Sequence, residues 1–158
     1  MIDPLDQLRR KTNSDRAIIF SLYTKNSSIR VPIFYYKAVE CVSSLRAEKA
    51  LPSKQILEDP FNDRPYLNYL EAFETLIRNK ELHFNKKSLN IFSEEVSLNL
   101  RKILKELKSK SISWYFIDDK TFVACQSMDL RDKASDYKKV KKYIKALKTQ
   151  RSKYELHR

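Results

Sequence analysis

The chain has 158 residues, a formal net charge of +12 and not one glycine. Glycine lets a backbone approach a phosphate closely or take a left-handed turn without steric cost. Its absence excludes a P-loop, a Gly-x-Gly-x-x-Gly dinucleotide turn and a Gly-x-Ser-x-Gly nucleophile elbow. The chain therefore reads as helix-rich, basic and non-catalytic.

A 42% apolar share, with nine Tyr and eight Phe, argues for a packed core rather than disorder. No apolar run approaches the roughly 18 residues of a membrane span. No basic stretch followed by an apolar one opens the chain, so a cytoplasmic or nuclear protein away from membranes is expected. Cys41 and Cys125 sit in apolar surroundings and read as buried free thiols of a reducing compartment. Charge is unevenly spread. Residues 1–100 carry 15 Lys/Arg against 13 Asp/Glu, whereas residues 101–158 carry 17 against 7. Such asymmetry points to a polyanion met by the C-terminal third.

In chain order, residues 1–58 form an N-terminal helical segment. Residues 1–13 read as a short helix or loose arm anchored by Leu5 and Leu8. Ser14 caps a run at 15–23 that is ambiguous between helix and buried strand, and Asn26-Ser27-Ser28 is a loop. Pro32 suits the first turn of a helix to about Lys49, with Ile33, Tyr36, Val39, Val42 and Leu45 spaced by three. Residues 59–130 read as a helical core with one hairpin, after a break at 59–65. Pro65 opens a helix to Asn79 with Leu67, Leu70, Phe73, Leu76 and Ile77 as its apolar stripe. Residues 81–84 suit a short strand and 86–92 a brief helix. Ser93 caps a helix over 94–109 that carries Val96, Leu100, Ile103, Leu104 and Leu107 on one face. The runs 112–117 and 121–125, joined by Asp118-Asp119-Lys120, read as a β-hairpin. Residues 131–158 form a basic amphipathic C-terminal helix. The expected class is mainly α with a single β-hairpin (α+β).

The element order over 65–126 resembles a winged helix. That resemblance implies duplex DNA, in preference to RNA, read by the helix over 94–109. Asn99, Arg101, Lys102, Lys105 and Lys108 would make the contacts, with Lys120 at the wing tip. In the terminal helix, Tyr137, Val140, Ile144 and Leu147 form an apolar seam. Lys138, Lys139, Lys141, Lys142, Lys145 and Lys148 surround it as phosphate contacts. The same seam suits a partner helix or a second copy of the chain. The alternative function is a structural or accessory subunit docking a partner through this helix. Val123-Ala124-Cys125-Gln126 resembles the segment around a cluster-binding cysteine of primase large subunits, which places such a subunit in a replication-type assembly. Two cysteines do not hold a cluster needing four, and His83 and His157 are the only histidines. No cofactor, metal or catalytic set is expected.

Overall fold

The computed structural model describes residues 3–25, 33–58 and 64–155. The expected loop at 26–28, Pro32, the break at 59–63 and His157 lie outside them. Six strands form one antiparallel sheet: β1 (Arg16–Lys25), β2 (Ile33–Ser43), β3 (Arg64–Pro65), β4 (Glu81–Asn85), β5 (Ser111–Asp118) and β6 (Thr121–Ser127). Their spatial order is β3-β2-β1-β6-β5-β4. The helices are α1 (Pro4–Lys11), α2 (Leu45–Ala50), α3 (Ser53–Glu58), α4 (Leu70–Asn79), α5 (Glu94–Glu106) and α6 (Tyr137–Glu155). The expectation of a mainly helical chain with one hairpin is overturned. The hairpin exists, but β5 and β6 are interior strands of a six-stranded sheet, not a wing at the edge of a helical core.

Alternation along the strands shows why. Ile18 and Phe20 of β1, Ile112 and Trp114 of β5, and Phe122 and Ala124 of β6 pack against α3, α4 and α5. Their neighbours Ala17, Ile19, Tyr115, Ile117, Val123 and Cys125 face the other way, against Leu5 and Leu8 of α1 and Val140, Ile144 and Leu147 of α6. A sheet covered on both faces has apolar residues at every position, so the polar–apolar alternation that marks a half-buried strand is erased. All seven residues of β6 are buried. The sheet also draws β1 and β2 from residues 1–58 and pairs β1 with β6.

The expected helix over 32–49 is β2 followed by α2. Ile19 pairs with Glu40 and Phe20 with Ala38, which leaves Val39 as an extra residue, a β-bulge. The bulge shifts the parity of the strand. Tyr36 and Ala38 lie on the α4/α5 face, while Val39 and Val42 pack on the α1/α6 face. Tyr36, Val39 and Val42 thus recur at a spacing of three without sharing a side. On a helix that spacing would have put them on one stripe.

The helix expected from Pro65 to Asn79 starts late. Residues Tyr66–Tyr69 form a 3-10 turn, and α4 begins at Leu70. Tyr69 of the turn and Ala72, Phe73 and Leu76 of α4 are buried, whereas Leu67, Leu70 and Ile77 are exposed. Phe73 lies at the centre of a ring cluster. Its ring centroid is 4.5 Å from Tyr66, 5.4 Å from Trp114, 5.4 Å from Phe122 and 5.6 Å from Tyr36.

Without glycine, helix ends must close on other residues. At the end of α5 the Ser109 amide donates to the Leu104 carbonyl and the Lys108 amide to the Lys105 carbonyl. This is the paired-bond motif in which glycine ordinarily takes the left-handed position. Here Lys108 takes it, with φ of 51°. Asn13 does the same after α1 at φ 49°, and Lys80 closes α4 at φ 67°.

Candidate basic cleft

Three segments converge at the end of the sheet where β5 begins and β6 finishes. The C-terminal half of α5 brings Arg101, Leu104, Lys105 and Lys108. The turn into β5 brings Ser109 and Lys110, and the residue after β6 is Met128. With Arg46 of α2 and Lys86 after β4, they line an open cleft of about 740 Å³. Six of these nine lining residues are cationic and none is acidic. The space falls within the roughly 300–1,000 Å³ of small-molecule sites.

Each wall is held by polar contacts, the most buried of them at Arg16. Arg16, 3% exposed, donates from Nε to Ser43 Oγ at 3.1 Å and from Nη2 to the Ala47 carbonyl at 3.0 Å and to the Leu51 carbonyl. It thereby grips the last carbonyls of α2, the helix that carries Arg46. Burial lowers the Arg16 pKa from its ordinary value. Ser44 caps α2, its hydroxyl accepting from the Ala47 amide at 3.3 Å. At the end of α5, Glu106 pairs with Arg64, whose Nη1 donates to Tyr69 Oη at 3.3 Å. Lys108 Nζ donates to the Ala50 carbonyl at 3.1 Å, which ties the ends of α5 and α2 together. Leu104 supplies an apolar floor, being 1% exposed.

The residues expected to meet nucleic acid are divided by the fold. Arg101, Lys105 and Lys108 meet in the cleft. Lys102 is exposed on α5 but lies outside the cleft lining, and Asn99 donates from Nδ2 to the Asn68 carbonyl at 3.1 Å, holding α5 to the 3-10 turn. Lys120 sits at the opposite end of the β5–β6 ribbon, beside a second groove of about 350 Å³ with Leu22, Tyr23 and Phe34. Lys138, Lys139, Lys141, Lys142, Lys145 and Lys148 are exposed on α6, across the sheet from α5. The seam of α6 packs inside the chain: Val140 and Leu147 are fully buried and Ile144 is 3% exposed. What was expected as a face for a partner helix or second copy is occupied by the sheet.

Neither function expected from the sequence survives this arrangement. α5 covers a sheet, and the hairpin that would form the wing is interior, so no recognition helix and wing exist. Val123-Ala124-Cys125-Gln126 is a stretch of a central strand whose thiol is buried, and the seam through which an accessory subunit would dock lies against the sheet. The Cys125 thiol is pushed up to about 12 by burial.

Sequence reasoning missed Arg46, Lys86 and Lys110 because they come from three separate loops and helix ends. It also missed a polar chain at the edge of the sheet. His83 Nε2 lies 2.6 Å from Glu81 Oε1 and Nδ1 lies 2.6 Å from Ser113 Oγ. Carboxylate, imidazole and hydroxyl in a row resemble the parts of a hydrolytic triad. Ser113, however, is 3% exposed, and its hydroxyl accepts from the Ala134 amide at 3.0 Å. Glu81 Oε2 accepts from the Tyr137 amide at 3.0 Å. The chain's work is to fasten the start of α6. Among the described residues no group of three His, Cys, Asp or Glu side chains is placed to hold a metal ion. None of their helices is long and apolar enough to cross a membrane.

The chain is thus an antiparallel six-stranded sheet with helices on both faces. No family model and no curated protein sequence matches the chain. Among solved structures it is similar to GAF3 of Slr1393 from Synechocystis sp. PCC6803, in its photoproduct state, with 11% identity and a TM-score of 0.56. The match covers 98% of this chain and 95% of that one. At this identity the likeness is one of fold. It overturns the winged-helix and DNA-binding readings along with the helical class.

Proposed function

We propose that the chain is a non-catalytic ligand-binding module of GAF-like fold, and that its ligand is a small, multiply charged anion such as a nucleotide or another phosphorylated metabolite. The observation that carries this reading is the cleft, whose lining has six cationic side chains and no acid, the Asp129 carboxylate pairing with Arg46 beside it. Two of the six are arginines, whose planar forks match a phosphoryl group with two parallel bonds, and the lysines add point charges around it.

A photochemical role, as the photoproduct state of GAF3 indicates for that protein, is not part of the proposal. The cavity bounded by Phe20, Tyr36, Trp114 and α5 is about 10 Å³, space for one water. We further place the protein in a reducing compartment, a placement supported by the free thiols of Cys41 and Cys125.

The test is calorimetric titration with pyrophosphate and ATP. Reversing Arg101 and Lys105 together (Arg101→Glu, Lys105→Glu) is compared with Lys141→Glu and Lys145→Glu on α6. Both pairs change net charge equally. The cleft pair is expected to lose on the order of tenfold or more in affinity, from two lost charge-assisted contacts. The α6 pair should lose only what salt screens. Equal losses at the two sites would refute a defined site.

A further inference from the structure

We infer that Asp129 is a built-in occupant of the proposed cleft, holding Arg46 until a phosphoryl group displaces it; this inference rests on the anion-binding reading above. Arg46 Nη1 lies 3.1 Å from Asp129 Oδ2 and Nη2 lies 3.2 Å from Oδ1. That is the two-pronged geometry in which a guanidinium holds a phosphoryl group. The carboxylate thus presents to Arg46 what a phosphate would.

The placement is enforced rather than incidental. The Asp129 amide donates to Ser127 Oγ at 3.1 Å, and its carbonyl accepts from Ser111 Oγ at 2.7 Å. Both serines are buried in the sheet. The preceding amide, of Met128, donates to Asp15 Oδ2 at 2.8 Å. Residue 129 is therefore fixed at the mouth of the cleft while its side chain stays 65% exposed. Exposed ion pairs are weak and easily exchanged. A ligand with two or more negative charges, already attracted by the remaining cations, competes well for Arg46. The carboxylate would then select against singly charged anions, which gain too little at the other cations to displace it.

The test is a double-mutant cycle read by pyrophosphate titration at low ionic strength: the unaltered chain, Asp129→Asn, Arg46→Gln and the double variant. Asp136→Asn serves as control, because Asp136 is exposed and pairs with Lys133 away from the cleft. Thermal melts accompany each variant. Asp129→Asn is expected to tighten pyrophosphate binding on the order of three- to tenfold, with no such gain in Asp136→Asn. In the Arg46→Gln background the gain should largely vanish, because Asp129 then has nothing to occupy. An unchanged affinity in Asp129→Asn, or the same gain with and without Arg46, overturns the occupant role while leaving the cleft intact. Failure of all the proteins to bind overturns the occupant role and the binding site together.

Discussion

Phe73→Ala tests whether the space between sheet and helices is filled. Phe73 is 3% exposed and touches rings on β2, β5, β6 and the 3-10 turn. Truncating a buried phenylalanine in such a setting costs about 3–5 kcal/mol, the transfer term plus the cavity left behind. Total stabilities run to about 5–15 kcal/mol, so the variant should remain folded but melt far lower. At about 2–4 °C per kcal/mol for a chain of this size, the loss is on the order of 6–20 °C. Urea unfolding followed by Trp114 fluorescence gives the free energy, because Trp114 stacks on Phe73. Phe73→Leu should cost much less, since it leaves most of the volume in place. Indole or benzene should raise the Phe73→Ala melt by filling the new cavity, and pyrophosphate affinity should be unchanged. A cost below about 1 kcal/mol would mean the rings are loosely packed. The description of a filled ring cluster between sheet and helices would then fail.

Lys108→Gly should raise stability by about 1 kcal/mol, the left-handed penalty less glycine's entropy cost, while weakening pyrophosphate binding; a lower melting point would show that the left-handed penalty is smaller than the worth of the Lys108–Ala50 contact that the variant also removes. Stability should fall as pH rises above 9, because burial raises Cys125 from its ordinary 9.0 to about 12 and also raises Tyr36 and Tyr115. Protons held more tightly in the folded state stabilise it fully below the unfolded pKa. The stabilisation is lost at about 1.4 kcal/mol per pH unit and group above that pKa. Urea midpoints at pH 8 and pH 10.5 measure the loss, and Cys125→Ala should reduce the part that begins near pH 9, to which the half-buried Cys41 thiol also contributes. A flat profile would contradict the burial.

The helices that stand against one face of the sheet were legible. Ser93 before Glu94-Glu95 marks the start of α5, where its hydroxyl accepts from the Val96 amide at 3.4 Å. The stripe Val96, Leu100, Ile103, Leu104 is buried as its spacing predicts. The strands 112–117 and 121–125 were legible as a pair because a short polar turn separates two β-rich runs. Their position in a sheet was not, since nothing local tells an edge hairpin from the centre of a sandwich. β2 was unreadable for a specific reason: apolar residues lie on both faces of the strand, so Tyr36, Val39 and Val42 mimic a helical spacing of three. The stripe expected over 65–79 was read in part: Phe73 and Leu76 are buried as expected, whereas Leu67, Leu70 and Ile77 are apolar yet exposed, and Tyr69 and Ala72 complete the packed face. Half of the cleft could be anticipated from Arg101, Lys105 and Lys108, which share a helix. Arg46 and Lys110 join them only through the β1–β2 and β5–β6 pairings.

The most direct measurement of the central claim is an NMR titration with pyrophosphate, following backbone amides and the Trp114 indole. The account predicts saturable shifts confined to Arg101, Lys105, Lys108, Ser109, Lys110 and the neighbourhood of Arg46. Trp114 and the amides of α6 should not move. Shifts centred on Trp114 and Phe122, shifts spread along the α6 lysines, or none that saturate would contradict it.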